Sequence, residues 1–284
     1  MSDLNPTIIM AAGKGSRMKA DADVAPETLA EVRSRPKAMI RIGSEQRPLL
    51  EHLLLQLKNE GCRQACIVIA EDDELTPAHF AMNPISGMEL SFVRQGIPEG
   101  RSKPLGTAHA VQLALEGHPE WRKSSVTVAN GDNLPPRGMF GQLFQQTAAL
   151  PAFHPQYLGL PMERIRAFAV IEADAHGRML GIVEKPSTEQ LEKARWGDGE
   201  VRVSMNYFRV PYLALLEAVV NVPEHPHRRE KEIPTAISML QSEGKCELAA
   251  LPMEGAFLDM THPQDVKKAG EIVDQGGFAL NSRT

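Results

Sequence analysis

Along the chain, short apolar runs alternate with segments of helical period, and the order of the two predicts the fold. Residues 7–12, "TIIMAA", form an unbroken β-branched and aliphatic run, the pattern of a strand buried on both faces. "LLEHLLLQLKNEGC" follows with helical spacing and stops at Gly61, and "ACIVIAED" reads as a second buried strand. A strand at "LSFVRQG", a helix from "GTAHAVQLALEG" and a strand at "SVTVANGD" continue the rhythm, which is that of a mostly parallel sheet flanked by helices. The second half changes character. "RAFAVIEAD" and "MLGIVEKP" flank the turn "AHGR" as a hairpin, and "VRVSMNYFRV" reads as a further antiparallel strand. Helices at "PYLALLEAVVNV" and "EIPTAISMLQSEG", a strand at "CELAALPM", a short run "AFLDM" and a helix after "THPQDV" complete the pattern.

The expected class is therefore α/β, a Rossmann-like mixed sheet with an antiparallel portion in its second half. One domain is expected, with halves at about residues 1–133 and 134–284. Two segments, "KADADVAPETLAEVRSRP" and "LPAFHPQYLGLPMER", read as long loops, a lid or an insertion. Ligands of parallel sheets bind beyond the carboxyl ends of the strands, which puts residues 13–17, Gln95 and Asp132 on one rim.

Composition narrows the function classes. The chain has 284 residues, 42% hydrophobic and 24% charged, with a net charge of −5 and no basic run, so an extended nucleic-acid surface is not expected. Cys62, Cys66 and Cys246 form no Cys-x-x-Cys pair, which predicts free thiols in a reducing compartment. The opening "MSDLNP" has no basic-then-apolar pattern and no stretch has the length of a membrane span, so a cytoplasmic protein with no membrane partner is expected.

Candidate chemistry begins at "AAGKGSRM". Gly13 and Gly15 allow positive φ and close approach of a ligand, and successive N–H groups in such a turn form an anion-binding concavity. It is neither the dinucleotide fingerprint, which needs a glycine where Met18 stands, nor a Walker loop. Asp132 and Asp259 each end an apolar run, where a carboxylate past the sheet edge holds a hard cation; taken singly, "GD" is also a turn and Asp259 also a residue just before a helix. Lys37 in "RPKAMI" and Lys185 in "VEKP" sit among apolar residues beside prolines, as cations for a multiply charged ligand or as solvated lysines.

Taken in order, "AAGKGSRM", "RPKAMI", "GTAHAV", "NGD", "VEKP" and "FLD" resemble the sugar nucleotidyltransferase family, the glucose-1-phosphate thymidylyl- and uridylyltransferases, over nearly the whole chain. The resemblance implies that a sugar 1-phosphate oxygen attacks the α-phosphate of a nucleoside triphosphate and pyrophosphate leaves, with Mg²⁺ as cofactor. It names Arg17, Lys37 and Lys185 as catalytic and Ala12, Gly13, Lys14, Gly15 and Ser16 as nucleotide-binding: Arg17 and the amides from Gly13 on would hold the triphosphate, Lys37 would face the reacting phosphates, and Lys185 would hold the sugar phosphate. Asp132 and Asp259 would carry Mg²⁺; Glu184 and Asn206 would meet the sugar; Gln95, Gly106 and Thr107 would line the nucleotide pocket. A glutamine amide matches the edge of uracil or thymine, so UTP or dTTP is the implied donor. His109 is expected to be a helix-face residue and not a catalyst.

The departures are specific. The connection from Arg17 to Lys37 is longer than in short family members, Met205 stands where many relatives have glycine, and Thr261 and His262 replace Gly-Thr. Hexapeptide repeats are missing, so no acyltransferase activity is expected. The alternatives are a non-catalytic nucleotide-sugar sensor or subunit, and transfer to a different phosphorylated acceptor. The exact base, the sugar and any homo-oligomer are left open.

Overall fold

The structure, a computed structural model, describes residues 4–13, 15, 18, 24–158, 168–184 and 186–275. Its first half contains β1 (Thr7–Met10), α1 (Pro26–Ser34), β2 (Arg41–Ile42), β3 (Arg47–Pro48), α2 (Leu49–Asn59), β4 (Gln64–Ala70), α3 (Leu75–Met82), β5 (Glu89–Gln95), α4 (Thr107–Gly117) and β6 (Ser125–Asn130). There follow β7 (Asn133–Leu134), α5 (Met139–Phe144), β8 (Ala149–Phe153), β9 (Val170–Ala173), β10 (Met179–Val183), α6 (Thr188–Lys193), β11 (Phe208–Pro211), α7 (Tyr212–Asn221), α8 (Ile233–Ser242), β12 (Ala249–Met253), β13 (Leu258–Asp259) and α9 (Asp265–Asp274).

Seven strands form one sheet in the order β12-β8-β11-β6-β1-β4-β5. β1 pairs in parallel with β4 and β6, β4 with β5, and β12 with β8; β11 runs antiparallel between β6 and β8. The expected α/β class is thus observed, and the sheet passes through both halves of the chain. Its central strands β1, β4 and β6 are buried along most of their length because both faces are covered, whereas the edge strand β5 is part-exposed. Ile9, Ile67 and Ile69 meet the leucines of α2 on one face, while Ile8, Val68, Val126 and Val128 meet α4, α7 and α8 on the other. Each buried leucine or isoleucine contributes about 1.5–3 kcal/mol relative to exposure, so this double-sided core sets the strand order.

Four readings are corrected. The first long loop contains α1, which starts on Pro26 and buries Val32 three residues after Leu29. α3 was not foreseen: its eight residues bury only Thr76 and Phe80, too few for a visible period, and it is capped by Asp73, which accepts from Thr76 N–H (3.0 Å) and Thr76 Oγ1–H (2.6 Å). The second long loop hides β8, a fully buried strand containing Pro151. Proline is tolerated because its missing N–H falls between Ala149, paired with Arg209, and Phe153, bonded to Val203, where the neighbouring chain leaves the sheet. That departure is the fourth correction. "VRVSMNYFRV" is not one strand, since Asn206 takes φ +60° and separates an isolated bridge at Val203 from β11. The β9–β10 hairpin forms as expected, antiparallel with a bulge near Met179.

The connection from β5 to α4 is fastened to the segment before α8. Lys231 N–H donates to Leu105 O (2.6 Å) and Ala108 N–H to Lys231 O (2.9 Å). Gly106 sits between them at φ +109°, where a Cβ would lie 2.4 Å from Lys231 O and 2.9 Å from Lys231 N. Gly106→Ala is therefore expected to cost about 2–4 kcal/mol, as positive-φ strain plus a backbone clash. Gly141→Ala, in open space on α5, is expected to be neutral or stabilising by about 0.5 kcal/mol. Urea midpoints of the two variants would check the contrast.

Candidate active site

The site is built where β1 and β6 end. Gly131 N–H donates to Met10 O (2.9 Å), carrying the contact of the two strands one residue further. A Cβ on Gly131 would stand 3.1 Å from Ala11 Cβ and 3.2 Å from Met10 O, so glycine lets the β6 chain end lie directly on the turn after β1. Asp132 is thereby delivered to the rim. Lys37 arrives from the other side on a 3₁₀ turn (Lys37–Met39) set by Pro36, with Ala38 and Met39 buried beneath it. Gly15, at φ +59°, leaves room for its stem: a Cβ there would be 3.3 Å from Lys37 Cβ.

Lys37 Nζ donates to Asp132 Oδ2 at 2.5 Å. Asp259 is brought to the same cleft by a two-residue antiparallel pairing of β7 with β13, Leu258 opposite Leu134 and Asp259 opposite Asn133. Asn133 Nδ2 donates to Asp259 Oδ1 (3.0 Å) and Thr261 Oγ1 to Asp259 Oδ2 (2.9 Å), which orients the carboxylate. Behind both acids lies Tyr207, fully buried, its hydroxyl without a hydrogen-bond partner among the described residues. Burial first, and then the charges of Asp132 and Asp259, push its pKa well above the usual tyrosine value.

Among the described residues no group of three or more His, Cys, Asp or Glu side chains converges on a metal position. Two carboxylates on one cleft nevertheless suit a hard cation of the Mg²⁺ type, which takes one or two protein carboxylates and fills its shell with water and substrate phosphate. The donor set present fits such an ion.

Three neighbouring cavities share lining residues and together form a trough past Lys37 and Asp132. A cavity of about 480 Å³ is lined by Ala12, Gly13, Lys37, Gln95, Gly106 and Asp132 among others. It shares Ala12, Gly13 and Gln95 with a larger one of about 1010 Å³, whose far wall is the acidic run Glu71 to Glu74. Such a wall disfavours an anionic ligand group at that end, whereas Lys37 offers a cation at the other. Gln95, the last residue of β5, is buried and donates from Nε2 to Gly106 O (2.9 Å). Gly106 owes its identity to the Lys231 backbone described above as well as to any ligand. Thr107 Oγ1 accepts from Ile233 N–H (3.0 Å), so its hydroxyl also docks α8.

On the other side of Asp132 a cleft of about 240 Å³ is lined by Asn130, Phe168, Met205, Asn206, Thr261 and His262 among others. Asn206 reaches it through its left-handed backbone. Glu184 does not line this cleft among the described residues; it accepts from Arg228 Nη2 (2.8 Å). Lys14, Ser16, Arg17 and Lys185, singled out from sequence, lie outside the described residues. Sequence reasoning missed Asn133, Tyr207 and Arg228. Adjacency to Asp132 was a signal for the first; nothing local marked the others.

The family model described as "Nucleotidyl transferase" matches residues 6–272. Among curated proteins, the bifunctional protein GlmU of Methanococcus maripaludis strain C7 is 27% identical over 264 residues, 92% of this chain and 53% of that protein. A UTP–glucose-1-phosphate uridylyltransferase of Synechocystis is 27% identical over 188 residues, 64% of this chain and 45% of that protein. The chain thus spans about half the length of the curated relatives it matches. A crystal structure of UDP-glucose pyrophosphorylase complexed with UDP-glucose superimposes with a TM-score of 0.64 at 18% identity, covering 94% of this chain and 97% of the other. That likeness concerns the fold; with a family model matched over nearly its full length, the chain belongs to the nucleotidyl transferase family, among the sugar nucleotidyltransferases.

Proposed function

We propose that the protein transfers a uridylyl or thymidylyl group from UTP or dTTP to a hexose 1-phosphate, with Mg²⁺, releasing pyrophosphate. The observation that carries this reading is the trough from Gln95, past Lys37 on Asp132, to Asn206 and Asp259. A base at Gln95 and a sugar beside Asn206 would put the α-phosphate at Lys37. The names of the relatives, which act on glucose 1-phosphate or carry UDP-glucose, agree with this substrate class. In this reading the chain is one domain with a nucleotide half and a sugar-phosphate half, working in the cytoplasm.

The acceptor phosphate oxygen attacks the α-phosphorus, a new P–O bond forms, and the bond to the β-phosphate oxygen breaks as pyrophosphate departs. The chain's contribution is positioning and charge neutralisation, since no covalent intermediate is needed. Arg17 and the amides from Gly13 onward would hold the triphosphate, and Lys185 the acceptor phosphate. Lys37 has two partners in prospect: Asp132 in the free protein and the reacting phosphate in the complex. Asp132 and Asp259 would hold Mg²⁺, which supplies screening of phosphate repulsion and stabilisation of charge in the transition state. Glu184 would serve sugar hydroxyls only by exchanging its Arg228 partner.

The deciding experiment crosses UTP, dTTP, CTP, ATP and GTP with hexose 1-phosphates and a phosphorylated alcohol, reading pyrophosphate release with and without Mg²⁺. Turnover is expected for UTP or dTTP with a hexose 1-phosphate only; nucleotide-sugar binding without turnover would replace the enzyme by a sensor.

Asp132→Asn is expected to keep the fold and lower kcat by about a hundredfold or more, roughly 3 kcal/mol in the barrier. Asp259→Asn should act in the same direction, and circular dichroism with Mg²⁺ titrations of activity would check both. Lys37→Ala is expected to lower kcat by about a hundredfold with a smaller change in the KM for sugar 1-phosphate, because its charge is needed most where phosphate charge develops. Steady-state kinetics in both substrates separate the two effects.

A further inference from the structure

Gln95 does not stand alone at the base end of the trough. Its Nε2 faces two acceptors: Gly106 O at 2.9 Å and, from α4, His109 Nδ1 at 3.4 Å. An amide nitrogen can only donate, so His109 must present the lone pair of Nδ1 and carry any proton on Nε2. The amide is then held with its nitrogen inward. No partner of Gln95 Oε1 is found among the described residues, and Gln95 lines both nucleotide-side cavities. The pocket therefore meets an acceptor.

We propose that His109 is a positioning residue for base selection: by accepting from Gln95 Nε2 it fixes the amide so that Oε1 reads the N3–H of uracil or thymine and rejects cytosine. This deepens the function proposed above and rests on Gln95 facing the base. Cytosine has a bare N3 where uracil has N3–H. To suit it the amide would have to rotate, and its oxygen would then oppose both the Gly106 carbonyl and the His109 lone pair. One acceptor alone would leave the rotation half opposed; two make it costly. The ring is held in the required state by its surroundings. Burial first, and then the charge of Lys231, lower the His109 pKa, against a weaker opposite pull from Glu116; these are the charged groups acting on it among the described residues. The lowered pKa favours the uncharged ring, and protonation on acidification turns Nδ1 into a donor that no longer accepts from the amide.

The test compares kcat/KM for UTP and CTP in the wild type, His109→Leu and His109→Asn, at about pH 8 and about pH 5.5. The triphosphate is common to both nucleotides, so its titration cancels in the ratio. The wild type is expected to prefer UTP at the higher pH by about tenfold or more and to lose that preference only where acidification reaches the lowered pKa of the ring. His109→Leu should lose it at both. In His109→Asn the Oδ1 oxygen replaces the Nδ1 lone pair, so the preference should be retained and be flat with pH. A His109→Leu variant that keeps the full ratio overturns the role of His109 alone, whereas a wild type with no uracil or thymine preference overturns the base reading and this inference with it. If the leucine variant does not fold, His109→Ala, which also removes the acceptor facing Gln95 Nε2, replaces it: a full ratio in that variant overturns the proposal.

Discussion

Two carboxylates, Asp132 and Asp259, face one half-open cleft, and their repulsion is the constraint around which the site is arranged. The protein offsets it in two ways. Lys37 places an ammonium on Asp132, and Asn133 and Thr261 donate to both oxygens of Asp259. Hydrogen bonds to a charged group are worth about 1.5–3 kcal/mol each, against about 1 kcal/mol for a neutral pair, so these donors stabilise the acids without removing their charge. Tyr207 adds a buried hydroxyl that finds no partner, which costs about 1–3 kcal/mol. The charge of both acids is thus met by donors from the chain itself, while the Tyr207 hydroxyl behind them is left unpaired among the described residues.

The Gln95 end depends on a different joint. The connection after β5 and the segment after α7 are tied by Arg101 with Glu224 (3.2 Å) and Lys103 with Glu230 (2.5 Å), both part-exposed pairs. Such pairs contribute about 0–1 kcal/mol. The stronger fastening is the backbone contact of Lys231 with Leu105 and Ala108, which only a glycine at 106 permits. The same segment sends Arg228 to Glu184. One stretch of chain thus holds both the connection beside Gln95 and Glu184.

The sequence by itself determined the double-sided strands, because β1 and β4 carry unbroken apolar runs (residues 8–10 and 65–70), broken in β6 between Val126 and Ala129 only by Thr127, and such runs are stable inside a sheet covered on both faces. It also placed Gln95 and Asp132 on the rim, since strand ends follow from the apolar runs. It hid β8 and α1, where prolines mimic loop composition and the signal lies in which neighbour the missing N–H would face. Only the tertiary structure decided that Asp259 meets Asp132, through the short pairing of β7 with β13, residues 126 apart at Asn133 and Asp259. It alone gave Glu184 to Arg228, and set His109 against Gln95. Periodicity reports how each segment buries itself, whereas a polar contact between distant segments depends on the closed chain, where desolvation makes an unpaired charge or amide costly and so selects its partner.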